Sequence, residues 1–249
     1  MSRQRVDMML VARGLVESRA KAQALIKAGL VQAETTIVQK PGELWPEATR
    51  LTLTGQEHPW VSRGGMKLAH GLEAFGFDPT GRVCLDIGAS TGGFSDVLLT
   101  HNAAKIYAVD VGHNQLAAKL RDDARVVSLE KTNARYVTAQ IIPEPITALV
   151  CDASFIGLQT VLPAGLTLCA PGAFAIALIK PQFEAGPEHV GKGGVVRDTA
   201  LHAQICTRIA DWFGAQAGWQ VVGVTPSPIK GPDGNIEFLI GAVKTTPEP

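Results

Sequence analysis

From residue 67 onward, short apolar segments alternate with segments of helical periodicity, and this alternation constrains the fold more than any other feature. Repeated strand–helix–strand units predict a parallel, doubly wound sheet, which is an α/β fold. No helical segment separates the last two apolar segments, so we expect those strands to pair as an antiparallel hairpin. The predicted strands are residues 83–87, 105–110, 126–129, 148–152, 173–179, 219–225 and 236–243. The predicted helices are residues 67–75, 114–120, 158–169 and 199–216, with another that begins near residue 93.

The first thirty residues predict two amphipathic helices. Gly14 separates the two helical patterns, Ser18 is a candidate N-cap of the second helix, and Gly29 ends it. Short strands are predicted at residues 31–38 and 50–53, so this region is expected to form a small α+β domain. The predicted apolar stripes are Val6, Met9 and Leu10 on the first helix, and Ala20, Ala24, Leu25 and Leu30 on the second.

The chain of 249 residues is long enough for two domains. Hydrophobic residues make up 46% and charged residues 18%, a balance typical of globular proteins and not of disordered chains. We expect a small domain at residues 1–60, which includes a linker at about 55–60. A larger α/β domain is expected at residues 61–249.

Positive charge is concentrated at the start of the chain, although the formal net charge of the whole is zero. Residues 1–30 contain six basic and two acidic residues, for a net charge of +4. Such a block favours a surface that faces a polyanion, and an ordinary solvated helix face is the alternative. The charged residues of this block are Arg3, Arg5, Arg13, Arg19, Lys21 and Lys27, against Asp7 and Glu17.

The four cysteines are widely spaced within apolar runs, which predicts buried free thiols, a reducing compartment and no metal site. No apolar core of a secretion signal is found near the N-terminus, so we expect a cytoplasmic protein. The uncharged stretch between Asp152 and Lys180 could reach across a bilayer. Two prolines and three glycines interrupt it, so a helix, a turn at 170–172 and a buried strand are predicted, with a membrane span as the alternative.

A glycine-rich turn follows the strand at 83–87 and opens a helix. Its sequence over residues 85–94 is Leu-Asp-Ile-Gly-Ala-Ser-Thr-Gly-Gly-Phe. This spacing is neither the GxGxxG of dinucleotide-binding folds nor a P-loop. Asp86 would repel a pyrophosphate but suits a positively charged amino acid group, which favours S-adenosylmethionine. A tight turn with no ligand is the alternative. The candidate cofactor contacts in this turn are Asp86, Gly88, Ser90, Gly92, Gly93 and Phe94.

Two polar residues follow the next strands along the chain. Asp110 ends the second predicted strand, about twenty residues after the glycine turn, where a carboxylate can accept hydrogen bonds from ribose hydroxyls. A loop aspartate that caps the following helix is the alternative. Asn133 follows the third strand and is a candidate for contact with adenine.

Asp152 and Lys180 end the fourth and fifth strands. Both are therefore expected in the crevice at the carboxyl ends of the strands, where open α/β sheets bind ligands. A lysine that ends a buried strand can serve as a base or as an electrostatic partner. The alternative is a purely structural ion pair between the two. Glu237 by strand alternation could face solvent, and Lys67 alone is typical of a surface lysine.

Five features together resemble the TlyA family. They are the run Ser-Arg-Gly-Gly-Met-Lys-Leu at 62–68, the glycine turn, Asp152, the run Lys-Pro-Gln-Phe-Glu at 180–184 and the run Gly-Lys-Gly-Gly-Val-Val-Arg-Asp at 191–198. Proteins of this family were named as haemolysins and are now regarded as ribosomal RNA ribose methyltransferases. Their catalytic domain is similar to the FtsJ-type (RrmJ-type) 2′-O-methyltransferases. Residues 5–29 resemble the small RNA-binding domain of a small-subunit ribosomal protein and of pseudouridine synthases.

The resemblance implies a Rossmann-like domain that uses S-adenosylmethionine, without a metal, to methylate the ribose 2′-hydroxyl of a cytidine in ribosomal RNA. It implies a catalytic set of Lys67, Asp152, Lys180 and Glu237, with Asp152 also near the cofactor. Lys180 would promote loss of the hydroxyl proton, Asp152 would orient Lys180, and the other two would position the ribose. Contacts with RNA, free or in a ribosomal subunit, are expected from Arg3, Arg5, Arg19, Lys21 and Arg63. The alternatives are a membrane-active haemolysin and a non-catalytic RNA-binding protein that senses the cofactor.

Overall fold

The computed structural model describes residues 3–16, 18–54, 58–191, 193–231 and 234–245. Glu17, the start of the predicted linker (55–57) and Lys192 lie outside these residues. The chain divides into two compact units, Met1–Pro59 and Trp60–Pro249.

The first unit contains two helices and two small antiparallel sheets. Its elements are β1 (Arg3–Arg5), α1 (Val6–Ala12), α2 (Arg19–Lys27), β2 (Val31–Ala33), β3 (Thr36–Ile37), β4 (Leu44–Pro46) and β5 (Leu51–Leu53). Strand β1 pairs with β4, and β2 lies between β3 and β5. The predicted cap is confirmed, because the Ser18 side chain accepts a hydrogen bond from the Lys21 N–H at 3.2 Å. The pairing of β1 with β4 was not predicted.

The core of this unit confirms the apolar stripe of α1 and corrects that of α2. Val6, Met9 and Leu10 are all buried, as predicted. On α2 the buried residues are Ala22 and Ile26, which lie four positions apart on one helix face. Ala20 and Ala24, which the sequence suggested, are exposed. Small alanines occur on either face of a helix, so their spacing alone was a poor guide.

The second unit is built on a seven-stranded sheet. Its strands are β6 (Val83–Ile87), β7 (Lys105–Val109), β8 (Val126–Leu129), β9 (Ile146–Cys151), β10 (Cys169–Ile179), β11 (Trp219–Pro226) and β12 (Phe238–Lys244). Its helices are α3 (Gly64–Phe75), α4 (Gly93–Thr100), α5 (Ala118–Arg121), α6 (Leu158–Val161), α7 (Pro163–Thr167), α8 (Pro181–Glu184) and α9 (Thr199–Gly214). The strand order is β11-β12-β10-β9-β6-β7-β8.

Five strands of this sheet are parallel, and β12 runs antiparallel to both of its neighbours. The predicted doubly wound sheet with an antiparallel hairpin at the end is therefore confirmed. Two apolar clusters flank the sheet: α3 and α4 contribute to one, and α6, α7 and α9 contribute to the other. Because both faces are covered, the central strands are apolar at nearly every position.

The helices predicted at 114–120 and 158–169 are shorter than expected. The first is reduced to α5, and the second is divided into α6 and α7 at Pro163, whose ring and missing N–H cannot continue a helix. The predicted turn at 170–172 lies instead within β10, where the register against β9 shifts between Cys169 and Phe174. The uncharged stretch is thus two short helices and a sheet strand. Within the described ranges, no helix combines the length and apolarity that crossing a membrane requires.

Candidate active site

The carboxyl ends of β6, β9 and β10 meet at one edge of the sheet, and each is followed by a candidate residue. Gly88 follows β6, Asp152 follows β9, and Lys180 follows β10. The antiparallel direction of β12 brings its first residue, Phe238, beside Ile179 at the end of β10. Glu237 therefore reaches the same edge, although it precedes the strand in which it was predicted.

Four charged side chains form a continuous chain of contacts at this edge. Lys67 Nζ lies 2.6 Å from Glu237 Oε2 and 3.8 Å from Asp152 Oδ2. Lys180 Nζ lies 2.6 Å from Asp152 Oδ1, and it also donates to the Asp152 carbonyl at 3.2 Å and to Ser154 Oγ at 2.9 Å. Two lysines and two carboxylates balance in charge, and the Asp152 carboxylate links both lysines.

Three of these residues are nearly inaccessible to solvent, and the Asp152 side chain is half-buried. The exposed fraction is 6% for Lys67, 7% for Lys180 and 1% for Glu237. The readings of Lys67 as a surface lysine and of Glu237 as a solvent-facing strand residue are therefore wrong. Each charge can be buried only because its partner is within contact distance.

A cavity of about 500 Å³ lies beside this chain of contacts, over the ends of β6 and β7. Its lining includes Gly88, Ser90, Asp110, Asn133 and Asp152. We call it the first cavity. Among the described residues that line it, two are aspartates and none is a lysine, arginine or histidine. The first cavity is therefore acidic.

Close backbone contact explains the glycine at position 88. Its φ is +80°, and a Cβ added there would lie 2.8 Å from the Cα of Ala153. A larger residue would be strained in conformation and would push apart the glycine turn and the segment after Asp152.

Asp110 ties the glycine turn to the end of β7. Its Oδ2 accepts a hydrogen bond from the Ser90 N–H at 2.8 Å, and its Oδ1 accepts one from the Gly112 N–H at 2.6 Å. Asn133 Oδ1 accepts a hydrogen bond from the Arg135 N–H at 3.0 Å. Both residues line the first cavity, and their contacts with the cofactor stay predictions.

Asp86 is less accessible than the sequence suggested, and its contact with the cofactor stays a prediction. The residue is fully buried beneath the turn, and Ser95 Oγ donates to its Oδ2 at 2.7 Å. Burial raises the pKa of Asp86 to about 7, while the Ser95 hydrogen bond opposes that rise. Asp86 is not among the residues that line the first cavity.

Three further residues of the turn have different surroundings from those expected. A Cβ on Gly92 would lie 2.1 Å from a methyl group of Leu120, so this glycine serves packing against α5. Phe94 is only 3% exposed and belongs to the apolar core, although its edge and Gly93 line a second cavity. Gly92, Gly93 and Phe94 do not line the first cavity.

This second cavity, of about 250 Å³, has the opposite charge. Lys67, Lys180, Arg63 and Lys230 line it, and Asp152 is the acidic residue among the described lining. The two cavities share four residues, so they meet beside Asp152. The shared residues are Gly88, Ser90, Asp152 and Ser154.

Sequence reasoning missed Ser154 and Lys230. Ser154 follows Asp152 by two positions and so lies at a strand end, which could have drawn attention to it. Lys230 lies in an irregular segment 50 residues after Lys180 along the chain. No periodicity in the sequence indicates its position. Within the ranges described, no three histidine, cysteine or acidic side chains cluster in a way that could hold a metal ion.

In the first unit, the predicted RNA contacts Arg5 and Arg19 form ion pairs with the buried carboxylate of Asp7. Asp7 is fully buried and contacts Arg5, Arg19 and Gln23 at 2.9 to 3.0 Å. The Arg5 guanidinium, more than the other partners, holds the pKa of Asp7 well below its usual range. Arg5 and Arg19 therefore have a structural role that the charge count did not reveal.

The other predicted contacts remain on the surface. Arg3 is exposed and donates to the Leu44 carbonyl at 2.8 Å. Lys21 is exposed near the start of α2. Arg63, in the second unit, is exposed and donates weakly to the Lys230 carbonyl at 3.4 Å.

Comparison with known proteins matches each of the two units to a known family. The family model described as FtsJ-like methyltransferase matches residues 60–244, and the one described as S4 domain matches residues 4–44. The chain is 48% identical over 239 residues to the 16S/23S rRNA (cytidine-2′-O)-methyltransferase TlyA of Mycobacterium tuberculosis, which covers 96% of this chain and 89% of that protein. This chain belongs to the TlyA family of FtsJ-like methyltransferases.

Other relatives of the TlyA family carry a different name. Hemolysin A of Brachyspira hyodysenteriae is 41% identical over 236 residues, which cover 94% of this chain and 98% of that protein. A solved structure of a hemolysin-named protein from Streptococcus thermophilus is 41% identical, with a TM-score of 0.77 over 98% of this chain and 90% of that one. The family resemblance and the Rossmann-like methyltransferase fold expected from the sequence are both confirmed.

Proposed function

We propose that this protein transfers a methyl group from S-adenosylmethionine to the ribose 2′-hydroxyl of a cytidine in ribosomal RNA. The observation that carries the proposal is the meeting of an acidic and a basic cavity beside Asp152 and Lys180. The methyl donor is cationic and the RNA acceptor is anionic, so the two would fit adjoining cavities of opposite charge. The name of the Mycobacterium tuberculosis relative supports the choice of ribosomal RNA and cytidine.

The first cavity fits the methyl donor. S-adenosylmethionine carries a sulfonium and an ammonium group, and it supplies an electrophilic methyl group when bound. Asp110 and Asp152 would favour those positive charges, and the volume of about 500 Å³ is in the range of small-molecule sites. Asp110 would accept hydrogen bonds from the ribose of the cofactor, and Asn133 would contact its adenine.

The second cavity fits the nucleotide that is methylated. Arg63 and Lys230 at its exposed side would contact phosphates, which contribute affinity and register more than sequence choice. The S4 domain would add contacts through Arg3 and Lys21, and through the exposed parts of Arg5 and Arg19. A target base inside a folded RNA would have to leave its stack to enter.

The charged side chains then act on the 2′-hydroxyl. Lys180 would promote loss of the hydroxyl proton, because it lines the second cavity and its Nζ lies 2.6 Å from Asp152, which lines both cavities. Asp152 holds Lys180 in place, and the Lys67–Glu237 pair would position the ribose. Alignment of the two reactants supplies much of the rate, since well-oriented groups can gain up to roughly 7–11 kcal/mol.

The test is transfer of labelled methyl groups into ribosomal RNA by the pure protein, followed by mapping of 2′-O-methylated positions. The expected result is label at a ribose of one or a few cytidines. Leakage of liposomes without methyl transfer would instead support the haemolysin alternative, and RNA binding without transfer would support the sensor alternative.

The substrate would be ribosomal RNA, and all four cysteines are free thiols, as is typical of a reducing compartment. We therefore propose that the protein acts in the cytoplasm.

A further inference from the structure

The segment that follows Asp152 is strained and lines the first cavity. We call residues 153–157 the cavity loop. Phe155 in this loop has a φ of +65°, and its side chain is 91% exposed. A bulky residue in that conformation costs on the order of 1–3 kcal/mol and persists only where surrounding contacts enforce it. The contacts at the two ends of the cavity loop must therefore hold it.

The first end is held by Lys180. Its Nζ donates to the Asp152 carbonyl at 3.2 Å and to Ser154 Oγ at 2.9 Å. The lysine proposed to act on the substrate thus also fixes where the cavity loop begins.

The second end is held by Glu184, which lies on α8 four residues after Lys180. Its Oε1 accepts a hydrogen bond from the Leu158 N–H at 2.7 Å, just after the cavity loop, and its side chain is only 6% exposed. Gly157 leaves room for this carboxylate, because a Cβ there would lie 3.2 Å from Glu184 Oε2.

Arg208 on α9 fixes the position of Glu184 in turn. Its Nη2 donates to the Glu184 carbonyl at 2.7 Å and lies 3.6 Å from Oε2. Burial raises the pKa of Glu184, while the hydrogen bond from the Leu158 N–H and then the charge of Arg208 oppose that rise. A carboxylate kept buried at this cost is consistent with a specific positioning role.

We propose that Glu184 is a positioning residue that holds the cavity loop in the shape that binds the methyl donor. The single segment from Lys180 to Glu184 then clamps both ends of the loop. The part of this inference that concerns the donor rests on the function proposed above, whereas the clamp itself does not.

Two measurements on the full chain test the clamp. The first is affinity for S-adenosylhomocysteine by calorimetry, and the second is the rate of chymotrypsin cleavage after the exposed Phe155 without added cofactor. Glu184→Ala should weaken binding by about tenfold, as expected from loss of one hydrogen bond to a charged group. Cleavage after Phe155 should accelerate, because the loop opens more often.

Matched variants separate the hydrogen bond from the charge. Glu184→Gln keeps an oxygen that can accept from the Leu158 N–H, so it should bind within about threefold of the parent. Glu188→Ala removes an exposed carboxylate from the same region and should match the parent in both measurements. Gly157→Ala should move the Glu184 carboxylate without straining the backbone, since φ is −76° at this position, and should weaken binding in the same direction.

Parental affinity and parental cleavage in folded Glu184→Ala would overturn the proposal. If that variant does not fold, unchanged affinity and cleavage in Gly157→Ala would overturn it equally. A parent protein that binds no S-adenosylhomocysteine would refute the cofactor assignment, and the cleavage rates would still decide whether Glu184 holds the loop.

Discussion

Removal of the Lys180 amine is the sharpest test of the proposed chemistry. Lys180→Ala deletes an ammonium group that contacts Asp152 Oδ1 at 2.6 Å and lines the second cavity. Among the residues that the structure describes, Asp152 would keep Lys67 as a charged partner, at 3.8 Å. The variant should therefore bind cofactor and RNA, yet transfer methyl groups far more slowly than the parent.

The size of the loss can be worked out for an ammonium group placed next to the reacting oxygen. A unit charge about 4 Å from a developing oxyanion contributes about 4 kcal/mol at an effective dielectric constant of about 20. This corresponds to a factor of about 10³ in rate, and general base catalysis alone contributes about 10² or more. We expect single-turnover transfer of labelled methyl groups to slow by about 10²- to 10³-fold.

Two further variants interpret that loss. Lys180→Arg keeps a positive charge, but its guanidinium cannot give up a proton near neutral pH. A low rate of methyl transfer in this variant would support a role of Lys180 as a base, and a nearly parental rate would support an electrostatic role. Lys119→Ala removes another lysine–aspartate pair, at 2.8 Å from Asp96 and outside both cavities, and should leave the rate unchanged. If folded Lys180→Ala binds cofactor and transfers methyl groups within about threefold of the parental rate, the proposed mechanism is wrong.

Three other predictions concern single residues. Asp110→Ala should bind S-adenosylmethionine much more weakly by calorimetry, because it loses the carboxylate that holds the Ser90 N–H, and equal affinity would remove Asp110 from the site. Asp86 has a pKa of about 7 when folded, above its unfolded value, so its contribution to stability is complete at low pH and is lost as the pH rises towards 7. Urea unfolding from pH 4 to 8 should show this decrease, by at most about 1.4 kcal/mol per pH unit, in the parent but not in Asp86→Asn. Lys21→Gln should bind RNA more weakly and lower the slope of log affinity against log salt by roughly 0.7–0.9, and an unchanged slope would indicate a solvated helix face.

Arg5 and Arg19 are less suitable for that RNA test. Each contacts the buried Asp7, so an alanine in either position would leave a carboxylate with fewer partners. A weaker affinity in those variants could then arise from loss of folding in the first unit rather than from loss of a phosphate contact. Lys21 has no such role, since only its backbone N–H takes part in the cap of α2.

Local pattern in the sequence was sufficient for the elements of the sheet. The strands Val83–Ile87 and Val126–Leu129 lie where the apolar runs predict them, and the hairpin at the end of the chain follows from the missing helix. Gly88 was expected in the turn after the first strand, and the structure adds a close approach to the Ala153 backbone that no sequence pattern indicated. The strands and the turn depend on neighbours along the chain, so short segments determine them.

The family resemblance grouped the four charged residues, but only the tertiary structure shows which of them contact one another and how. Lys67 and Glu237 are 170 positions apart, and their contact exists because β12 runs antiparallel beside β10. Asp86 is fully buried and accepts a hydrogen bond from Ser95, which the sequence could not reveal because it does not show which side chains pack over the strand. Burial of a charged side chain depends on a distant partner that compensates for lost solvent, and no local pattern names that partner.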